Sequence, residues 1–102
     1  MAANEIHVND IGVKFLITVQ EDGSAKDISS MTTTDVIFLK PDGTTETVTG
    51  NFETDGTNGQ LNYVSQSGVL DQSGSWQIQV HLANLTSQKR TDIGRFRVHD
   101  NL

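Results

Sequence analysis

The chain has 102 residues and no cysteine, and its 7 lysines and arginines against 13 aspartates and glutamates give a net charge of -6. That length suits one domain, residues 1–102, around one core. The missing thiols exclude disulfides, thiolate metal sites and cysteine nucleophiles, and the acidic balance opposes phosphate backbones, so nucleic acid is not an expected partner.

With 34% apolar and 20% charged residues, much of the surface must be Thr, Ser, Asn and Gln, a profile suited to strands with polar outer faces. The opening Met1-Ala2-Ala3-Asn4-Glu5 has neither the basic region nor the apolar core of a signal peptide, and no run approaches a membrane span. The expectation is a chain made and folded in a cytoplasm, with no membrane contact. Residues 5–9 read as a short first strand, and residues 10–12 offer a kink. Residues 13–20 alternate, with Val13, Phe15, Ile17 and Val19 inward and Leu16 the exception. Glu21-Asp22-Gly23-Ser24 is a turn in which glycine supplies the left-handed conformation. Residues 26–30 cross between sheets with Ile28 as buried anchor.

The next strand, residues 35–40, has four apolar residues in a row, which leaves its facing open; Val36 and Phe38 are assigned inward. Pro41-Asp42-Gly43-Thr44 is the strongest turn signal, because proline fixes the first dihedral and Asp and Gly tolerate the tight dihedrals after it. It closes a hairpin onto residues 45–49, a Thr- and Glu-rich strand of the kind that keeps a sheet edge from unwanted pairing. Residues 55–59 form a loose turn, and residues 60–64 return with Leu61 and Tyr63 on one face.

The clearest strand comes after the polar corner Leu70-Asp71-Gln72-Ser73-Gly74-Ser75. From Trp76 the side chains at 76, 78, 80 and 82 are apolar and those at 77, 79 and 81 polar, the period of a strand with one buried face. Trp76 is the single tryptophan, placed where immunoglobulin-like domains often put a tyrosine. Residues 84–87 turn the chain back, residues 91–98 form the last strand with Phe96 and Val98 inward, and Asp100-Asn101-Leu102 is a tail. No stretch has sustained helical periodicity or an internal repeat. Short strands with regular turn signals predict an all-β, immunoglobulin-like β-sandwich of seven to eight antiparallel strands.

The order of residues 12–19, an acidic glycine turn, Asp27-Ile28-Ser29, Val36-Ile37-Phe38-Leu39-Lys40-Pro41-Asp42-Gly43, Gly59-Gln60-Leu61-Asn62-Tyr63 and Leu70-Asp71-Gln72-Ser73-Gly74-Ser75-Trp76-Gln77 resembles the N-terminal domain of the phage baseplate upper protein family. The resemblance covers nearly the whole chain and rests on turn and core residues. It implies an immunoglobulin-like sandwich that builds virion tail structures, with copies of itself and other virion proteins as partners, oligomeric in the particle, without a cofactor. Baseplate upper proteins usually continue into longer regions that carry receptor-binding proteins. A chain that stops at Leu102 is therefore expected to decorate or join parts of a capsid, tail, neck or baseplate.

Sites for chemistry are sparse. His7, His81 and His99 are the only histidines; paired first and last strands would bring His7 and His99 together, and Asp100 would complete a zinc set, but solvated strand-face residues are the preferred reading. Residues 55–59 supply oxygens for calcium yet lack the Asp-x-Asp-x-Asp-Gly ladder, so a plain turn is preferred. Ser73 and Ser75 have no nucleophile elbow, and the paired carboxylates Glu21 and Asp22 sit in a hydrated turn. The chain is not expected to be an enzyme.

The candidate functional feature is a face. If the last strand, the Trp76 strand and residues 36–40 lie side by side, their outward side chains are Ile93, Arg95 and Arg97, then Gln77, Gln79 and His81, then Ile37 and Leu39. Aliphatics beside arginines and amides have the chemistry of a protein interface, and the arginines reverse the local charge of an acidic domain. The Thr-rich edge is a second candidate, for strand addition. A carbohydrate-binding or adhesive module at a cell surface is the alternative, and it requires an exposed aromatic platform. A domain excised from a larger secreted protein is a third.

Overall fold

The computed structural model describes residues 5–21, 23–91 and 93–101. Met1, Ala2, Ala3 and Asn4 of the expected opening, Asp22 of the acidic turn, Asp92 within the expected last strand and Leu102 of the tail lie outside them.

The chain is all-β. Its strands are β1 (Ile6–His7), β2 (Lys14–Thr18), β3 (Gln20–Glu21), β4 (Ser24–Ala25), β5 (Thr33–Leu39), β6 (Thr45–Thr49), β7 (Asn51–Phe52), β8 (Gln60–Val64), β9 (Gly74–Ala83), β10 (Gln88–Arg90) and β11 (Gly94–His99). A six-stranded sheet runs β1-β11-β9-β5-β6 with β10 also on β9, a three-stranded sheet runs β2-β8-β7, and β3 and β4 form a small hairpin. Three features correct the expectation of seven to eight antiparallel strands. The strand pieces are shorter and more numerous, β1 runs parallel to β11 through Ile6↔Val98 and His7↔His99, and the last strand starts later than the expected residues 91–98, with a separate short strand before it. Residues 88–90 pair as β10 with Ala83, Leu82 and His81, whereas the last strand begins only at Gly94, opposite Ile78. From Arg90↔His81 to Gly94↔Ile78 the register advances four residues on the edge for three on β9, so the edge slips by one residue, as at a bulge. Asn51 and Phe52, unassigned by periodicity, pair with Asn62 and Leu61 as β7.

Alternation decides what each strand buries. Val36 and Phe38 on β5, Leu61 and Tyr63 on β8, Trp76, Val80 and Leu82 on β9 and Val98 on β11 are all buried, as is Ile28 before β5. Phe15 and Ile17 of β2 and Phe96 of β11 pack against them while keeping some exposure. The open facing of residues 35–40 resolves with Val36 and Phe38 inward and Ile37 and Leu39 half-buried on the other side. Aromatic rings hold the two larger sheets together. The Phe15 ring lies 5.4 Å from Phe38 and 5.0 Å from Phe96, and Phe38 lies 5.8 Å from Tyr63, each pair spanning the sheets or closing their seam. Offset and edge-on pairs at such distances add about 0.5–1.5 kcal/mol each beyond area burial.

Trp76 is the centre of that cluster. It is fully buried, its ring stacks 5.8 Å from Phe96, and its indole N–H donates to the Gln72 carbonyl at 3.0 Å. The corner before β9 is thereby tied to the core by the side chain that opens the strand. Lys40 lies over the same ring at 5.9 Å and is flanked by Asp71 at 3.1 Å and Glu46 at 3.3 Å. Burial acts to lower the Lys40 pKa, but the hydrogen bond to Asp71 and the two carboxylate charges outweigh it and hold it above the ordinary lysine value.

The remaining turns repeat one device. Asp27, Asp42 and Asp55 each accept, on Oδ1, the backbone N–H and the hydroxyl of the residue two positions on, namely Ser29, Thr44 and Thr57. Each of these carboxyls is held below the ordinary aspartate value by the hydroxyl and then the amide hydrogen bond. Gly59 is where two loops touch: with φ at +77° and the Lys26 carbonyl 2.7 Å from where a Cβ would stand, only glycine fits.

Candidate interface on the outer face of the large sheet

Cross-strand register fixes which side chains share a face. Leu39 pairs with Gln77, which pairs with Arg95. One step along, Ile37 pairs with Gln79, and a further step on Asp35 pairs with His81, which pairs with Arg90. In the other direction Arg97 pairs with Ser75. Because 76, 80 and 82 point into the core, 75, 77, 79 and 81 point away from it, and their partners share that outward face. All eight positions expected on the face, Ile37, Leu39, Gln77, Gln79, His81, Ile93, Arg95 and Arg97, therefore lie on or beside the same outer surface.

Its centre is apolar and indented. Ile37, Leu39, Thr45, Gln77, Gln79 and Ile93, with the edge of Ile78, line a shallow hollow of about 170 Å³. Ile93 is 49% exposed. Gln79 is not free to reorient, because its amide N–H donates to the Thr91 carbonyl at 2.8 Å. His81 is less a surface group than its position suggests. Its ring is 17% exposed, Nδ1 lies 3.6 Å from an Asp35 carboxylate oxygen, and Nε2 is buried with no hydrogen-bond partner among the described residues.

The basic residues divide by type. Each of the four lysines has a carboxylate partner: Lys14 with Glu53 at 2.7 Å, Lys26 and Lys89 sharing Glu21 at 2.6 and 3.1 Å, and Lys40 as above. Arg90, Arg95 and Arg97 are exposed, and none of the ion pairs among the described residues uses an arginine. All three stand on the β10–β11 edge at positions whose partners face outward. Sequence reading misses Arg90, since residues 88–90 hold no apolar position to mark a strand; the adjacent Lys89-Arg90 pair is the visible signal.

The other candidates resolve individually. His7 and His99 do meet, with ring centroids 5.7 Å apart, and His7 Nε2 lies 3.3 Å from Glu5; three or more metal-ligating side chains converge nowhere among the described residues. Oδ1 of Asp55 is occupied by Thr57. The Thr-rich strand β6 is the free end of the large sheet. Every aromatic side chain, four Phe, one Tyr and one Trp, is buried or half-buried. No protein-family model and no curated protein sequence matches the chain.

Proposed function

We propose that the chain is a non-enzymatic, immunoglobulin-like sandwich domain that works by protein–protein contact in multiple copies, as a structural component of a phage virion. The immunoglobulin-like reading is supported by the strand order. β11-β9-β5-β6 facing β2-β8-β7 has the arrangement of the GFCC′ and BED sheets, and the Trp76 N–H bonded back to Gln72 takes the part of the tyrosine that ties the corner before strand F. The virion role rests on the resemblance of the turn and core residues to baseplate upper proteins.

The observation that carries the contact reading is a set of exposed arginines beside an apolar hollow, none of them paired with a carboxylate among the described residues. Arginine is enriched at interfaces because its planar fork binds carboxylates bidentately and sheds water more readily than an ammonium. On a chain of net charge -6, Arg90, Arg95 and Arg97 present a concentration of exposed positive charge to an acidic neighbour, while Ile37, Leu39 and Ile93 supply the area that water leaves. A second copy is such a neighbour.

Light scattering on the purified domain over a range of protein and salt concentrations tests this. The expected result is a discrete oligomer that dissociates in the Arg95→Glu, Arg97→Glu double variant, with unchanged far-ultraviolet circular dichroism. A monomer at every concentration and salt would refute self-association through this face.

A further inference from the structure

We propose that β2 accepts an extended acidic segment of a partner protein as an added strand, seated at the cleft between the two sheets. The cleft adjoins the outer face above at Gln79 and Arg90, whereas β2 itself belongs to the other sheet. Ser65 N–H bonds to the Val13 carbonyl, and Val19 N–H bonds to the Gly59 carbonyl. Those contacts place 13/65 and 19/59 at bonded positions of the ladder, and antiparallel alternation extends the same pattern to Phe15 and Ile17. The amides and carbonyls of Lys14, Leu16 and Thr18 consequently turn away from β8. β2 is the end strand of its sheet, so these groups have no strand partner among the described residues.

Beside that edge opens a cleft of about 470 Å³, floored by Ile17, Ile78, Val80 and Leu82. Among the described residues, Lys26, Lys89 and Arg90 border it with one carboxylate, that of Glu21. On a chain of net charge -6 this is a local excess of positive charge over an apolar floor. An extended segment that alternates small apolar and acidic side chains matches both: the apolar set enters the cleft and the carboxylates reach its cationic lips.

The two lips are not equivalent, which assigns the added strand to β2. The β10–β11 edge carries the one-residue slip, and Lys89 sits at an inward-facing position opposite Leu82. Bulges and inward charges are the usual means of discouraging strand addition. β2 has neither, and it displays Leu16 at 53% exposure.

The test uses an eight-residue fluorescent peptide alternating valine and glutamate, its valine–lysine counterpart, and a valine–glutamate peptide N-methylated at alternate amides. Fluorescence anisotropy at physiological salt should give binding by the first peptide alone. N-methylation should weaken it at least tenfold, because the methyl groups remove the ladder donors without altering charge. Hydrogen exchange should show the Leu16 and Thr18 amides gaining protection when the peptide is bound. Leu16→Pro should abolish binding, since its N–H faces outward and proline there spares the β2–β8 ladder. Should that variant fail to fold, the N-methylated peptide reports the same contact on the native chain. Arg97→Gln should leave peptide binding unchanged, which separates this surface from the outer face. No binding up to millimolar peptide, equal binding of the N-methylated peptide, or equal binding of the lysine peptide would overturn the proposal. Self-association abolished by Leu16→Pro with no peptide binding would assign the edge to a second copy and likewise overturn it.

Discussion

Replacing Trp76 by tyrosine and by phenylalanine separates two roles of one side chain. The indole is fully buried and donates to the Gln72 carbonyl at 3.0 Å. Phenylalanine keeps an aromatic ring against Phe38 and Phe96 but leaves that carbonyl unpaired, at a cost of about 1–3 kcal/mol, and the smaller ring leaves a void worth about another 1 kcal/mol. Tyrosine leaves a similar void yet carries a hydroxyl able to reach back toward the corner, as the tyrosine of immunoglobulin-type sandwiches does. The expected order of stability is Trp, then Tyr, then Phe, with the last two separated by about 1 kcal/mol. Urea denaturation followed by circular dichroism reads this as a midpoint shift of about 0.3–1 M between the variants at an unchanged slope. Against a total of about 5–15 kcal/mol for a domain of this size, both variants should still fold. If Phe and Tyr are equally stable, the Trp76–Gln72 bond does not hold the corner, and the structural parallel with a tyrosine corner loses its energetic basis.

Other consequences are as direct. Ser65→Ala should cost about 2–4 kcal/mol in the same assay, because the fully buried hydroxyl accepts from Val13 N–H at 3.0 Å and donates to the Asp10 carbonyl at 3.2 Å, joining the start of β2 to the end of β8. Gly59→Ala should be far worse than Gly43→Ala: both glycines have positive φ, but a Cβ at 59 meets Lys26 and Val19 carbonyls at 2.7 and 2.8 Å, whereas one at 43 meets nothing within 4 Å. Thermal melts should show the first largely unfolded or lowered by more than about 3 kcal/mol and the second lowered by about 1 kcal/mol. Glu21, held low by hydrogen bonds from Lys26 and Lys89, and Asp27, Asp42 and Asp55, held low by theirs, have folded pKa values beneath their ordinary 4.5 and 3.8. Carboxyls depressed by folding stabilise above the unfolded pKa, and that contribution is lost as pH falls through the folded one. The melting temperature should therefore be level from about pH 7 to about 5 and decline below about 4; a decline beginning well above that range would assign the loss to other groups.

Much of this was legible because alternation is a local property. Trp76-Gln77-Ile78-Gln79-Val80 names its own buried face, and Arg95-Phe96-Arg97-Val98 does the same, so the outer surface emerged once the strands were placed side by side. What stayed hidden depends on neighbours distant in sequence. Ile6-His7 has no feature that distinguishes a parallel partner from an antiparallel one, and Gln88-Lys89-Arg90 is a strand with no apolar residue at all, held by its ladder to β9. Which cation meets a carboxylate depends on which residues the fold brings alongside, as in Lys14 with Glu53. The cleft beside β2 exists because that strand ends a sheet, and no residue within it reports what is missing alongside.

The slip between β10 and β11 gives the end of the chain something like a reading frame. Counted without a break from Arg90, alternation would carry Arg95 and Arg97 into the core and turn Phe96 and Val98 out to water. The extra position restores the phase. Deleting one residue between Arg90 and Gly94 should thus let the ladder run straight while every later side chain keeps its face. Deleting two should be far more damaging, because it puts Phe96 and Val98 out of phase unless β9 buckles in turn.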